Sequence, residues 1–266
     1  MKEGINFELE GDNLENKEKE QTSIGEVIFI RHGKVGSYPY DEETGFHEGN
    51  LTEESIKEAK ARGVEIGKKL LENYDPQNTD IILWNSPRYR AGETANYLKE
   101  GIEESGFNIF LDKSLTMDKL GEAITHEDGE EWMKKGLKEW YATAPESTHK
   151  ALSENERMYL YLTRKMLEKV KGLREKEVRY NIGEENEKQF RKDGKTVMVG
   201  VGHNITINKL VEEIFPDKGA MEGGITNLER VYLKFLDNGQ IKVILEDGRS
   251  KVIDDTNGDL EKINKE

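Results

Sequence analysis

An α/β fold, a three-layer sandwich with a mostly parallel central sheet, is the architecture this sequence predicts, and three short apolar runs carry the prediction. They read Val27-Ile28-Phe29-Ile30, Ile81-Ile82-Leu83-Trp84 and Val197-Met198-Val199-Gly200-Val201. Each ends in polar residues and is followed by a helical pattern. Continuous runs of this length, bounded by turn residues and alternating with helices, are what strands buried on both faces look like.

In chain order, the first run leads into Arg31-His32-Gly33. Thr52 then stands as a helix N-cap, with Glu53 and Glu54 in the first turn, where the positive end of the helix dipole favours them. Behind it Ile56, Ala59, Gly63, Ile66 and Leu70 recur at helical spacing and define one apolar face. The second run leads into Asn85-Ser86-Pro87, and a second helix is expected to start near Pro87 and to carry Ala91, Ala95 and Leu98. Residues 122–192 are charge-rich and longer than a simple crossover needs. They read as a helical insertion packed over the sheet, beside the strand ends where ligands of open α/β sheets bind. Within it, Ser153 and Glu156 form a capping-box pattern that Met158, Leu162, Met166 and Val170 continue. The third run leads into Gly202-His203-Asn204. Finally, 229–236 and 240–245, separated by Asp237-Asn238-Gly239, predict a hairpin. The folded unit is expected over 25–253, with a flexible acidic tail over 1–24 and a polar tail over 254–266.

Composition narrows the function classes. The chain has 266 residues, 54 acidic against 40 basic side chains and a formal net charge of −14. Such a surface repels nucleic acid, whose affinity comes largely from Lys and Arg neutralising phosphates. With no cysteine, thiolate catalysis and Cys-built zinc sites are excluded. No apolar segment approaches the ~20 residues that span a bilayer, and the N-terminus has no signal-peptide character. The expectation is a cytoplasmic protein without membrane or nucleic-acid partners.

The chemistry is concentrated at the ends of the three apolar runs. Parallel strands converge at their carboxyl ends on one crevice, and these deliver Arg31 with His32, Ser86 to Arg90, and His203 with Asn204. Two Arg and two His arriving together suit a phosphate dianion. Guanidinium forks match its oxygens bidentately, an imidazole donates or attacks, and helix N-termini add backbone donors. Gly33 and Gly202 are read as places where backbone approaches a ligand closely.

Three ordered segments now resemble a known family: Arg31-His32-Gly33 after a strand, Ser86-Pro87-Arg88-Tyr89-Arg90-Ala91-Gly92-Glu93-Thr94-Ala95, and Val201-Gly202-His203-Asn204. They are similar to the signatures of the histidine phosphatase (phosphoglycerate mutase-like) superfamily, and Leu51-Thr52 before the helix containing Gly63 resembles the start of its first helix. The resemblance covers roughly 26–236, the insertion excepted. It implies a phosphoglycerate mutase-like fold and a hydrolase of the histidine acid phosphatase type, in which His32 attacks phosphorus and a phosphohistidine forms. It further implies that Arg31, Arg90, His203 and Asn204 hold the phosphoryl oxygens. No metal or cofactor is implied for hydrolysis. The substrate is expected to be a small phosphorylated metabolite or a phosphoprotein, and a homodimer is compatible with the reading.

Two departures qualify the resemblance. Relatives commonly place Glu after Leu-x as the proton donor, whereas Met117 stands there. Asp118 is the preferred substitute and Glu122 the alternative. Lys34 replaces the usual Glu or Gln after the glycine, and the Trp-containing pattern of cofactor-dependent mutases is missing before Leu51-Thr52. That favours a phosphatase over two rivals, a mutase needing a phospho-donor cofactor and a catalytically weak phospho-ligand binding protein. Among residues weighed and set aside, Ser86 is read as a helix cap, Arg90 has an ion pair with Glu93 as its bland alternative, and His47, His126 and His149 are read as solvated. Trp132, Trp140 and Tyr141 are read as packing.

Overall fold

The computed structural model describes residues 23–37, 40–41, 46–47, 49–86, 88–111, 143, 146, 160, 163–172, 174–175, 179–181, 187–189, 193–203, 211–212, 214–216 and 226–254. Asp118, Glu122, Asn204 and the capping-box pair Ser153 and Glu156 lie outside them.

The elements run β1 (Ser23–Arg31), β2 (Tyr40–Asp41), β3 (Phe46–His47), α1 (Glu53–Leu71), β4 (Thr79–Asn85), α2 (Tyr89–Glu103), β5 (Ile109–Leu111), β6 (Arg179–Asn181), β7 (Glu187–Gln189), β8 (Lys195–Gly202), β9 (Arg230–Leu236), β10 (Gln240–Leu245) and β11 (Ser250–Asp254). Seven strands form one sheet in the order β11-β10-β9-β1-β8-β4-β5. Pairings are parallel from β1 through β8 and β4 to β5, and antiparallel from β1 through β9 and β10 to β11. The sheet is therefore mixed, and its parallel half contains all three apolar runs.

Alternation along each run builds the two faces. Ile28, Ile30, Ile81, Leu83, Val197, Val199 and Val201 pack with Ala59, Ile66 and Leu70 of α1 and Ala91, Ala95 and Leu98 of α2. Val27, Phe29, Ile82, Trp84 and Met198 face the other way, against Leu160, Leu167, Val170, Val211 and Phe215. Strands covered on both sides have no polar face to show, which is why these runs read as unbroken apolar stretches. Each aliphatic side chain fully withdrawn from water contributes roughly 1.5–3 kcal/mol, so the two faces supply most of the driving force.

Both helices follow their sequence signals. The Thr52 side chain accepts from the Ser55 N–H at 3.2 Å, capping α1. Ile56 is only partly buried and Ser55 takes the buried position instead. The two helices pack backbone to backbone. A Cβ added at Gly63 would collide with the Leu98 carbonyl and the Gly101 Cα, and one added at Gly101 would collide with the Lys60 carbonyl. The hairpin forms as expected, with Gly239 at φ +86° in its turn, a conformation glycine adopts without steric cost.

Only parts of 122–192 are among the described residues. Helical residues 163–172 form the layer on the second face of the sheet, through Leu167 and Val170. Arg174 reaches Asp80 at 2.5 Å and Thr196 at 2.7 Å, at the amino ends of β4 and β8. The segment also contains a two-stranded ribbon, β6 with β7. No helix among the described residues is long and apolar enough to cross a membrane.

Candidate active site

The register of the sheet places three strand ends side by side. Arg31 lies opposite Gly202, and Asn85 opposite Val201. Beyond the last pairs the ladder continues, with the His32 N–H donating to the Gly202 carbonyl at 3.0 Å and the Ser86 N–H to the Val201 carbonyl at 2.9 Å. Because β8 lies between β1 and β4, His203 leaves its strand flanked by His32 and Ser86. Beneath them, Trp84 occupies the space a side chain on Gly200 would need, and it meets Phe29 edge-on at 5.9 Å.

His32 is 4% exposed. Its Nδ1 lies 2.7 Å from the Gly33 carbonyl, which can only accept, so Nδ1 carries the proton. The lone pair is thereby left on Nε2, and Arg90 Nε donates to it at 3.2 Å. The same guanidinium brings Nη2 within 3.5 Å of His203 Nδ1. The two rings are 5.1 Å apart between centroids. His203 Nε2 in turn lies 2.7 Å from the Ser86 hydroxyl.

Electrostatics keep both rings neutral. Burial first, then the Arg90 guanidinium and more weakly Arg31, push His32 from its ordinary 6.5 down to about 3, against an upward pull from the bond to Gly33. His203 is pushed well below its ordinary value by desolvation, then by Arg90, His32, Arg88 and Arg31. Among the described residues, the charged side chains acting on the two imidazoles are thus guanidiniums from two strand ends. A ring in such a field stays unprotonated at neutral pH and offers a lone pair.

A second set of bonds fixes the backbone around His32. Thr94 Oγ1 accepts from the Gly33 N–H at 3.0 Å and donates to the Arg90 carbonyl at 2.7 Å, tying α2 to the loop after β1. Ser55 Oγ accepts from the Lys34 N–H at 2.7 Å. Asn227 Nδ2 donates to the His32 carbonyl at 2.7 Å, and the Leu228 N–H to the Arg31 carbonyl at 3.0 Å. Leu228 does so at φ 61°, a sparsely populated conformation for a branched side chain.

Four of the site residues expected from sequence therefore come together, namely Arg31, His32, Arg90 and His203. Asp118, Glu122 and Asn204 fall outside the described residues. Some local readings change. A Cβ on Gly33 would collide with Ser55 Oγ and crowd Leu51, a packing reason for glycine there. Ser86 is no simple cap: Arg88 is the N-cap of α2 and makes no side-chain capping bond, and the Arg88 N–H is 3.4 Å from Ser86 Oγ. The Glu93 carboxylate accepts from the Leu51 N–H at 2.7 Å. Ser55 and Asn227 carry no sequence signal of their own, and Thr94 stands out only as a member of the matched segment, since their roles come from backbone groups distant in the chain.

No protein-family model matches the chain, and no curated protein matches it in sequence. Among solved structures, a phosphoserine phosphatase from Entamoeba histolytica, in complex with 3-phosphoglyceric acid, aligns with 86% of this chain and 94% of its own, at 16% identity and a TM-score of 0.41. A phosphoglycerate mutase from Bacillus anthracis aligns with 86% of this chain and 92% of its own, at 18% identity and a TM-score of 0.38. A mycobacterial glucosyl-3-phosphoglycerate phosphatase aligns with 79% and 89%, at 18% identity and a TM-score of 0.40.

Proposed function

We infer that this chain is a phosphomonoesterase of the histidine phosphatase superfamily that works through a phosphohistidine on His32. One observation carries the reading: a single guanidinium, Arg90, spans the unprotonated Nε2 of His32 and the Nδ1 of His203 at 3.2 and 3.5 Å. A nucleophilic lone pair and a guanidinium fork are thus brought side by side, within the field of Arg31 and Arg88. This is what in-line attack on a phosphoryl group requires, since such chemistry depends mostly on positioning and on stabilising charge over the phosphoryl oxygens.

In this reading the phosphoryl group enters between Arg90 and the two rings, and the guanidinium moves from the imidazoles onto the phosphoryl oxygens. Arg31, His203 and Asn204 complete the cradle. His32 Nε2 attacks phosphorus, the ester P–O bond breaks, and the alcohol leaves with a proton from Asp118, or from Glu122 in its place. Water, giving a proton to the carboxylate that served as the acid, then attacks the phosphohistidine and releases phosphate, returning the electron pair to Nε2. The bond from Nδ1 to the Gly33 carbonyl stabilises the positive charge that the ring carries while phosphorylated. Substrates are small phosphorylated metabolites or phosphoproteins, and the site of action is the cytoplasm.

The test offers the protein a chromogenic phosphate ester and 3-phosphoglycerate, and repeats both with His32→Ala. Release of phosphate from the ester, lowered on the order of 10³-fold or more in the variant, is the expected result. Isomerisation without net release would assign a mutase, and binding without turnover a phospho-ligand binding protein.

A further inference from the structure

We propose that Ser86 is a positioning residue that sets which ring nitrogen of His203 carries the proton, so that a neutral imidazole can donate Nδ1–H to the bound anion. The inference rests on the phosphatase reading and adds a residue to it. It starts from the contact of 2.7 Å between Ser86 Oγ and His203 Nε2, two residues 117 positions apart. Ser86 is 1% exposed, and its backbone is pinned by the bond to the Val201 carbonyl, on the strand that carries His203. The hydroxyl is thus fixed relative to the ring.

A neutral imidazole has one N–H to place, and its position follows the hydrogen bond made by the other nitrogen. Arg90 Nη2 is the neighbour of Nδ1 at 3.5 Å, and a guanidinium only donates. Nδ1 therefore keeps its lone pair, and Nε2–H donates to Ser86 Oγ. A phosphoryl oxygen between Arg90 and the ring reverses the demand, because it only accepts. The ring must then hold its proton on Nδ1 and accept at Nε2. A hydroxyl serves both states, accepting from Nε2–H in the first and rotating to donate to Nε2 in the second. The ring carries one proton throughout. One leaves Nε2 and one is gained at Nδ1, so the exchange with solvent balances. No protonation to imidazolium is needed, which matters in a site crowded with guanidiniums.

Two measurements on the full chain test this. With ¹⁵N-labelled protein, long-range ¹H–¹⁵N correlations of the His203 ring identify the protonated nitrogen. Saturating inorganic phosphate is expected to move the proton from Nε2 to Nδ1, and a proton that stays on Nε2 in the phosphate complex would overturn the proposal. In kinetics, Ser86→Ala is expected to lower kcat/KM roughly 10- to 100-fold, the effect of leaving one buried partner unsatisfied. It should cost nothing further in a His203→Ala background, because Ser86 acts only through that ring. Equal losses in both backgrounds would mean a merely structural hydroxyl. Ser86→Thr, which keeps the hydroxyl, should retain the phosphate-induced shift. If Ser86→Ala does not fold, the ring correlations of the unaltered chain still decide. The underlying reading fails separately: unaltered protein that neither binds phosphate nor releases it from esters removes both claims, whereas active protein with an unaffected Ser86→Ala removes only this one.

Discussion

The two ends of the same parallel strands set their guanidiniums against different partners. At the amino ends, Arg174 meets the Asp80 carboxylate, the Lys195 carbonyl and the Thr196 hydroxyl, all within 2.7 Å. The side chains of Arg174 and Asp80 are 7% and 10% exposed, so each charge is answered by the chain itself. At the carboxyl ends, Arg31, Arg88 and Arg90 surround two imidazoles that are held neutral, and the charge these rings feel among the described residues is positive. A buried cation matched by a carboxylate locks a helix to a sheet. Cations gathered around unprotonated nitrogens make a place where an anion is stabilised on arrival.

If that contrast is right, damage at the two ends should be separable. Arg174→Ala leaves Asp80 buried without its guanidinium, and is expected to destabilise the fold by about 3–5 kcal/mol, read as a lower denaturation midpoint. Turnover per folded molecule should be unchanged, and a proportional loss of kcat would break the comparison. Arg90→Ala should do the reverse, lowering kcat/KM about 10²- to 10³-fold with no loss in denaturation midpoint. Arg90→Lys should recover only part of the activity, because an ammonium restores the charge without the fork.

Acid should sharpen the same contrast. His32 is held at about 3 against an ordinary 6.5. Between these values the unfolded chain binds a proton that the folded chain refuses, so stability falls as pH drops below 6.5. The slope from one such histidine is about 1.4 kcal/mol per pH unit. Across this window the denaturation midpoint of the unaltered protein should fall more steeply toward acid than that of His32→Asn, which lacks the titrating ring. Parallel curves would show that the ring is not held neutral. Arg90→Ala should bring the His32 titration up from about 3, since that guanidinium is one of the causes of its depression.

Much of this architecture is legible without coordinates, and the reasons are local. A strand covered on both faces must be apolar throughout, so the runs after Glu26, Asp80 and Thr196 declare themselves, as do the Thr52 cap and the turn at Gly239. Strands such as β5, only three residues long, or β11, with Lys251 and Asp254 around Val252 and Ile253, are defined by the strand beside them, not by their own pattern. The site divides along the same line. Arg31, His32, Arg90 and His203 are findable because they sit at strand ends or on the helix that follows. Ser86 is visible as a residue but its role is not, because the base that faces it lies on another strand. That Leu167 and Val170 join one core cluster with Phe29 and Met198 is not legible, since an amphipathic stripe does not say which strands it packs against.

The account depends most on which atom receives the phosphoryl group. Mixing the protein with a radiolabelled phosphate ester, quenching in alkali within a turnover and mapping the label by mass spectrometry addresses this directly. The account predicts an acid-labile, alkali-stable phosphoryl group on His32, absent in His32→Ala. An acid-stable phosphate on Ser86, whose hydroxyl also has an imidazole within 2.7 Å, or turnover with no label on His32, would contradict it.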